Sequence, residues 1–258
     1  MQGDLNLVLY SGHGDFPRII LAPGSLEEAF YLTAEAFNLA DKYQVPVIIL
    51  TDQYFVDTYY NLPAPPDVEK VKFERYIVEA KPGYRRYELT EDGISPRAVP
   101  GYGEEVVVAN GNEHDEWGDI TEDAELTIKM QEKRAIKKLE TIKKNAPLPK
   151  LIGSENAKYL VIAWGGSTLH VVEEALGKLG RDDVALLHFS WVYPLNPKVK
   201  EFFEGRVLID VENNITGQFA ELLKKEFGVE VHHKILKYDG RPFSVEEVLD
   251  GLKGGVIE

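Results

Sequence analysis

The chain has 258 residues, a formal net charge of −14 and 44% hydrophobic residues, enough for one large or two medium domains with filled cores. It has no run of 18 apolar residues, and its first residues, MQGDLNLVLY, lack the basic and apolar regions of a secretory signal. We therefore expect no membrane span. Because an acidic surface repels phosphate backbones, we also expect no nucleic-acid partner.

Cysteine is absent from the sequence. The 258 residues therefore cannot form a disulfide, bind an iron–sulfur cluster through thiolates or use a thiolate as a nucleophile. We expect a cytoplasmic protein. The many Glu and Lys residues, with only two methionines, favour a thermophilic source.

The first region predicts a strand, a helix and a second strand. PRIILA (17–22) is a short strand, and Ser25 and Glu28 have the spacing of a capping box at a helix start. VPVIIL (45–50) is a continuous apolar run, typical of a strand buried on both faces. An apolar stripe at helical spacing connects them: Ala29, Leu32, Ala36, Leu39, Ala40 and Tyr43.

Proline-rich LPAPPD (62–67) predicts the end of this unit. Residues 68–120 are dense in turn residues and predict an extended arm with hairpins. A long helix is predicted from Thr121, with an inward stripe of Ile128, Ala135, Leu139 and Ile142. PLPK (147–150) stops this helix and is predicted to form a second linker.

The last region again alternates strands and helices. Strands are predicted at 159–164, 184–189, 206–211 and 229–235. Ser167 is predicted to cap the helix after the first of them, a short helix is predicted at about 197–203, and another follows Thr216. Ser244 and Glu247 have capping-box spacing before a final helix. Together these elements predict a parallel α/β domain.

Two loops in this region are candidate contact sites, because loops at the carboxyl ends of parallel strands contact ligands or partners. NNITG (213–217) is explained mostly as a helix cap and tight turn, with a contact role as the alternative. WGGST (164–168) lacks the spacing of either glycine-rich phosphate-binding motif, which favours a structural turn.

Three histidine-containing segments are less specific. His13 lies between two glycines, where a close ligand approach is sterically allowed, so it is a candidate proton donor or substrate contact. NEHDE (112–116) gathers acidic groups and a histidine, but too few ligands in defined geometry to predict a metal site. Of His232 and His233, one is expected in the core and one on the surface.

Five stretches together resemble the α subunit of ferredoxin-dependent 2-oxoacid oxidoreductases, most closely the 2-oxoglutarate branch. They are QGDLNLVLYSGHGDFPRIILAPGSLEEAFYLTAEAFNLADKYQVPVIILTDQ, YRRYELTEDGISPRAVPG, NEHDEWGDITED, ENNITGQFAELL and KILKYDGRPF. The resemblance implies an α/β fold in three parts. These are the back half of a thiamine pyrimidine-binding domain (1–62), an extended arm with a long linking helix (63–150), and a transketolase C-terminal-like parallel α/β domain (151–258).

The resemblance also implies a reaction. Thiamine diphosphate decarboxylates a 2-oxoacid, electrons leave through iron–sulfur clusters to ferredoxin, and coenzyme A receives the acyl group. The resemblance suggests two sets of site residues, but it assigns no catalytic residue and no metal ligand. Those facing substrate or cofactor are Gln2, Asp4, His13 and Asp52, and those contacting a partner are His114, Asp115, Asn213 and Asn214.

Members of the family carry a long segment ahead of QGDL, and it holds their known substrate and cofactor residues. A GDG…N diphosphate motif is also missing from this sequence. The resemblance therefore implies that this chain alone binds no cofactor and is inactive. Thiamine diphosphate, Mg²⁺ and iron–sulfur clusters are expected on partner subunits of an oligomer: a β subunit, with γ and δ subunits and ferredoxin as further candidates. The alternatives are an inert assembly module of the same fold and another thiamine-dependent, transketolase-like enzyme.

Overall fold

Eight helices and eight strands are found in a computed structural model, which describes residues 3–257. The helices are α1 Asp4–Tyr10, α2 Leu26–Tyr43, α3 Gln53–Asp57, α4 Ala124–Gln131, α5 Lys138–Asn145, α6 Gly166–Leu179, α7 Gln218–Phe227 and α8 Val245–Lys253. The strands are β1 Ile19–Leu21, β2 Val47–Ile49, β3 Lys150–Ile152, β4 Tyr159–Trp164, β5 Val184–Phe189, β6 Trp191–Tyr193, β7 Val207–Glu212 and β8 His233–Leu236. Short 3₁₀ helices cover Val68–Lys70 and Pro197–Phe203. No helix in the described range is both long and apolar enough to cross a membrane.

Two sheets organise these elements. The smaller sheet has the order β2-β1-β6, with β2 parallel and β6 antiparallel to β1. The larger has the order β3-β5-β4-β7-β8, in which the last four are parallel and β3 runs antiparallel to β5. The predicted α/β class is confirmed, although the larger sheet is mixed because PLPK, predicted as a linker, leads directly into β3.

A shared core joins the two sheets. β6 follows β5 after a single residue and pairs with β1, so the chain passes directly from the larger sheet to the smaller one. Side chains from the N-terminal elements and from the larger sheet then pack in one fully buried cluster, which includes Leu5, Ile20, Leu160, Phe189 and Phe219. Burial of this apolar surface holds the first residues of the chain against the C-terminal region.

Strand boundaries agree with the sequence prediction at β4 and β5 and differ at the sheet edges. Strand β2 is half-buried, not buried on both faces as predicted, because it lies at an edge of the small sheet. Strand β8 begins at His233, four residues later than predicted. The prediction of one core histidine is wrong, because His232 is exposed and His233 is half-buried.

Capping at two helix starts follows the sequence closely. The Ser244 hydroxyl accepts from the Glu247 N–H, and the Glu247 carboxylate accepts from the Ser244 N–H, so this capping box is confirmed. At α2 the Ser25 hydroxyl caps as predicted, but the Glu28 carboxylate bonds the N–H of Gly24, one residue earlier.

The arm between the sheets is irregular. Within residues 3–257, strand-like pairing in the arm is limited to isolated bridges, two parallel (Ile77 with Arg97, Ala80 with Gly103) and one antiparallel (His114 with Ile120). The predicted hairpins are therefore reduced to one short antiparallel turn around residues 113–121. The helix predicted from Thr121 starts at Ala124, because Asp123 accepts a hydrogen bond from the Leu126 N–H at 2.7 Å.

That helix continues into α5 through a π-helical turn at Glu132–Lys137. The wider turn rotates the residues before it relative to those after it. Ile128, predicted to face inward, is therefore 58% exposed, whereas Met130 and Lys133 are buried together with Ile142. A regular helical period applied across the whole segment predicts the wrong buried face for its first half.

Candidate functional site

The strongest candidate site is a cavity of about 490 Å³ between the N-terminal elements and the larger sheet. It lies at the carboxyl ends of β2, β4 and β7 and at the start of α1. Because β4 has β5 on one side and β7 on the other, the loops after β4 and β7 diverge here, as they do at ligand sites of open α/β sheets. Its lining includes Asp4, Asp52, Gln53, Tyr54, Trp164, Ser167, Thr168, Asn213, Asn214, Gln218, Tyr238 and Arg241.

Asp52 connects two helix starts in the wall of the cavity. One carboxylate oxygen accepts from the Phe55 N–H at 2.8 Å and caps α3, while the other accepts from the Ser167 N–H at 3.2 Å. Free N–H groups at a helix start need such acceptors. Ser167 was predicted to cap α6 with its own side chain. That prediction is wrong, because α6 begins at Gly166 and the acceptor is supplied by Asp52, in the loop between β2 and α3.

The Gly165–Gly166 turn requires its glycines. Gly165 has a φ of 74°, a left-handed conformation that side chains disfavour. A Cβ on Gly166 would collide with the ring of Phe55, so the absence of a side chain lets α3 pack on α6. Below the turn, the buried His188 donates through Nε2–H to the Gly165 carbonyl at 3.0 Å. Burial lowers the pKa of His188, which favours its neutral form.

Glu212 and Asn214 organise the loop after β7. The fully buried carboxylate of Glu212 accepts from the Phe219 and Ala220 N–H groups and from the side chains of Trp164 and Asn214. The amide oxygen of Asn214 accepts from the Gly217 N–H at 2.7 Å. NNITG is therefore a turn and helix start, as predicted, but its capping groups are Glu212 and Asn214.

Asp210 lies beneath Glu212 on the same face of β7. It is fully buried, and neither carboxyl oxygen makes a well-oriented hydrogen bond with a described residue. Burial, and then the neighbouring Glu212 carboxylate, raise the pKa of Asp210 well above its usual range. The pair therefore favours a protonated Asp210 beside a Glu212 that accepts several hydrogen bonds.

Half of the eight residues predicted for the site line this cavity: Asp4, Asp52, Asn213 and Asn214. His13 is exposed on the loop after α1, between glycines with φ of 105° and 75°, and does not line the cavity. Gln2 lies outside the described residues.

His114 and Asp115 lie on the arm, away from the cavity lining. His114 is 7% exposed, contacts the Tyr87 ring at 3.8 Å between ring centres and has its Nδ1 2.6 Å from the Asn112 carbonyl. One oxygen of Asp115 accepts from the backbone N–H groups of residues 117, 118 and 119. Both side chains thus have defined roles within this chain.

Sequence reasoning missed several polar groups around the cavity, above all Glu212, Asp210 and His188. A signal was present for two of them, because acidic residues two apart in the apolar strand VLIDVE must share one face of the sheet. Gln218 and Arg241 had no such signal. Gln218 reaches the cavity only because α7 packs near α1, where its side-chain oxygen accepts from the Asn6 N–H at 2.9 Å.

Comparison of the sequence with known protein families identifies the family to which the chain belongs. The sequence pattern of the family described as "Pyruvate flavodoxin/ferredoxin oxidoreductase, thiamine diP-bdg" matches residues 1–133, just over half of the chain. The chain belongs to this oxidoreductase family. The resemblance found in the sequence is thereby confirmed.

Relatives of this oxidoreductase-family chain extend the match to nearly all of its residues. The 2-oxoacid:ferredoxin oxidoreductase subunit alpha of Saccharolobus solfataricus is 39% identical over 265 residues, covering 99% of this chain and 42% of that protein. The 2-oxoglutarate synthase subunit KorA of Methanothermobacter marburgensis is 26% identical over 259 residues, covering 98% of this chain and 68% of that protein. This chain therefore spans less than half the length of the first relative.

A solved structure shares the fold. The 2-oxoglutarate:ferredoxin oxidoreductase from Magnetococcus marinus, with 2-oxoglutarate, coenzyme A and succinyl-CoA bound, matches with a TM-score of 0.87 and 29% identity. The match covers 98% of this chain and 45% of that chain. It confirms the predicted fold class.

The family description names thiamine diphosphate, so the residues here can be tested for that cofactor. A diphosphate–Mg²⁺ group needs oxygen ligands, usually with carboxylates among them. Within residues 3–257, no three His, Cys, Asp or Glu side chains are grouped closely enough to hold a metal ion. Of the two acids in the described lining of the cavity, Asp52 already accepts hydrogen bonds from two helix starts, and Asp4 is a single exposed carboxylate at the edge. The fully buried Glu212 behind the lining also accepts from a helix start. The described residues do not by themselves fit the charged end of the cofactor.

Proposed function

We propose that this chain is the α-subunit portion of a thiamine-diphosphate-dependent 2-oxoacid:ferredoxin oxidoreductase. The enzyme would convert a 2-oxoacid, coenzyme A and oxidised ferredoxin into acyl-CoA, CO₂ and reduced ferredoxin. One observation carries this proposal: the alignment with the α subunit of Saccharolobus solfataricus runs over 99% of the chain at 39% identity.

For the substrate we propose 2-oxoglutarate. The solved relative from Magnetococcus marinus holds 2-oxoglutarate and succinyl-CoA, and two further groups of relatives are named 2-oxoglutarate synthase subunits. Pyruvate is the competing substrate, because the family description names it.

We propose that the reaction takes place in the assembled enzyme and that partner subunits carry its cofactors. A β subunit would bring thiamine diphosphate and Mg²⁺, and iron–sulfur clusters would lie on partner subunits, with γ and δ subunits and ferredoxin as further partners. Two observations support this division: the chain has no cysteine, and its described residues offer no metal-ligand group. The proposed location is the cytoplasm.

Within the assembly, the cavity would form part of a wall shared with a partner. Asp4 is exposed at its edge, and Asn213 is half-buried with its amide donating to the Arg241 carbonyl at 3.3 Å. Their polar groups face the cavity while the carboxylates behind them stabilise helix starts. We assign partner or substrate contacts to Asp4 and Asn213 and a supporting role to Asp52 and Asn214. His13, His114 and Asp115 remain candidates for contacts elsewhere on the surface.

Assembly with a β subunit from the same source tests this proposal. The chain and the purified β subunit should co-elute, and the complex should retain more thiamine diphosphate than either component after gel filtration. Asp4→Asn and Asn213→Ala should weaken co-elution, whereas Asp57→Asn, on the exposed side of α3, serves as the matched control. Failure to form a complex would contradict the proposal. A complex without added cofactor retention would favour an inert assembly module.

A further inference from the structure

The π-helical turn between α4 and α5 has a specific geometric consequence. The Lys138 N–H donates to the carbonyl of Lys133, five residues earlier. In a regular helix of 3.6 residues per turn, residues five apart point in widely different directions, about 140° apart, whereas the wider π turn brings them towards one face. The two lysines are close enough for the charge of Lys138 to lower the pKa of Lys133.

The neighbouring loop is shaped to fit this turn. Gly93 has a φ of 77°, and a Cβ there would lie 2.6 Å from the Lys138 nitrogen and 2.7 Å from the Lys133 carbonyl oxygen. The Thr141 hydroxyl donates to the Asp92 carbonyl at 2.9 Å, which fixes the loop to α5. The π turn is thus supported by a glycine that no other residue can replace without a shift, and π turns occur frequently at functional sites.

Three cationic residues lie around this turn: Arg86 and Lys133 both approach the Tyr87 ring, and Lys138 follows the π turn directly. Lys133 is only 4% exposed, and its ammonium donates to the Tyr87 carbonyl at 2.6 Å. Lys138 is half-buried, and the Arg86 guanidinium lies 4.9 Å from the centre of the Tyr87 ring. Burial, and then the charges of the neighbouring cations, lower the pKa of Lys133 and of Lys138 to about 8. Both lysines are therefore still mostly protonated at neutral pH.

Acidic groups nearby do not neutralise this cluster. Glu116 is bound by Arg85 and by the Leu89 N–H, and Glu113 is bound by Arg134. Asp92, the remaining acid near Lys138, accepts from the Ile94 N–H. In the part of the chain that the structure describes, the side chains of Arg86, Lys133 and Lys138 form no ion pair. A chain with a net charge of −14 thus keeps three cations together without a bonded carboxylate.

We propose that Arg86, Lys133 and Lys138 form a binding site for a phosphate group, either free or carried by a larger molecule. A phosphate offers several strong acceptor oxygens, and hydrogen bonds between ionised groups are stronger than neutral ones. The near-complete burial of Lys133 favours a small oxyanion over an acidic protein segment, which needs exposed cations. Binding would offset the mutual repulsion of the three side chains. The site lies on the arm and the linking helix, outside the lining of the cavity.

Calorimetric titration of the 258-residue chain at pH 7 tests the proposal, with inorganic phosphate and adenosine 5′-monophosphate as probes and sodium chloride at matched ionic strength as the reference. We expect saturable binding of at least one probe, weakened about tenfold or more by Lys138→Gln and by Arg86→Gln. Lys137→Gln is the matched control, because Lys137 is exposed on the same π turn. Binding of the monophosphate alone would identify the phosphate as part of a larger ligand.

Three results would overturn the proposal. The first is no saturable binding of either probe, with circular dichroism showing that the chain is folded. The second is binding that Lys138→Gln and Lys137→Gln weaken equally. Binding of poly-glutamate without binding of either phosphate probe would also overturn it, and would assign the cluster to an acidic segment of a protein partner.

Discussion

The carboxylate of Asp52 accepts a hydrogen bond at 3.2 Å from the backbone N–H of Ser167, 115 residues later in the chain. The same carboxylate caps its own helix α3 at the Phe55 N–H. One side chain therefore satisfies donors at two helix starts, and both helix starts belong to the wall of the cavity. The position of α6 relative to the N-terminal elements depends on this carboxylate and on the packing of Phe55 against Gly166.

Removal of this double acceptor should destabilise the fold. Asp52→Ala leaves two helix-start donors without their partner and should lower the free energy of unfolding by about 1–2 kcal/mol. Asp52→Asn keeps one side-chain carbonyl oxygen and should cost less. Urea unfolding measures both, with Asp57→Ala on the same helix as the control. Equal effects of Asp52→Ala and Asp57→Ala would show that the two hydrogen bonds of Asp52 add no stability.

The two adjacent asparagines should behave differently. Asn214 is 3% exposed and bonds both the loop backbone and Glu212, so Asn214→Ala should lower the free energy of unfolding by roughly 1–3 kcal/mol. Asn213 makes two longer bonds at the cavity edge, donating to the Arg241 carbonyl at 3.3 Å and accepting from the Ser167 hydroxyl at 3.5 Å. Asn213→Ala should therefore leave the melting temperature nearly unchanged while weakening assembly. Thermal melting and co-elution with a β subunit are the measurements. A larger melting shift in Asn213→Ala would contradict this assignment.

Asp210 should make stability depend on pH. Its pKa in the folded chain is raised above the value of 3.8 expected when it is exposed, so the folded state holds this proton to a higher pH than the unfolded state. The resulting stabilisation is complete below about pH 4 and is lost as the pH rises through the folded pKa. Asp210→Asn removes this dependence, so the variant should gain stability relative to the parent between pH 5 and pH 8. A constant difference across that range would contradict the buried, protonated state.

The lysines of the π turn should have the opposite dependence. Lys133 and Lys138 have pKa values of about 8 in the folded chain against 10.5 when exposed, so the unfolded chain binds more protons between these values. Stability from these groups should therefore increase as the pH rises from about 8 to 10.5. Lys133→Met should reduce that increase by roughly 1–3 kcal/mol, and Lys137→Met should not. Urea unfolding at pH 7, 8.5 and 10 measures the effect, and identical slopes for both variants would exclude it.

Much of the fold was predictable because local patterns and tertiary structure agree. The limits of β4 and β5 follow from apolar runs, and the start of α8 follows from Ser244 and Glu247. The π turn was not predictable, since no residue type marks it and the turn is supported by Gly93 from a distant loop. The exposure of Ile128 is a direct result of that tertiary effect.

The cavity was less predictable than the fold. The lining loop after β2 is more than a hundred residues away from the lining loops after β4 and β7. Family resemblance or turn chemistry predicted Asp52 and Asn214, but neither indicates the contacts that these side chains make. Ser167 was predicted to cap α6, a role that Asp52 fills, because local sequence spacing cannot reveal an acceptor that lies 115 residues away in the chain. The acidic residues of VLIDVE did carry a usable signal, since alternation places both on one sheet face.

The most direct test of the proposed function is coenzyme A-dependent reduction of a viologen dye by 2-oxoglutarate. The assay compares the β subunit alone, the β subunit with this chain, and the same pair with the part of the Saccharolobus solfataricus relative that the match does not cover. We predict reduction only in mixtures that contain this chain, faster with 2-oxoglutarate than with pyruvate. Equal rates with and without this chain, or no reduction in any mixture despite a stable complex, would contradict its role as a working α-subunit portion.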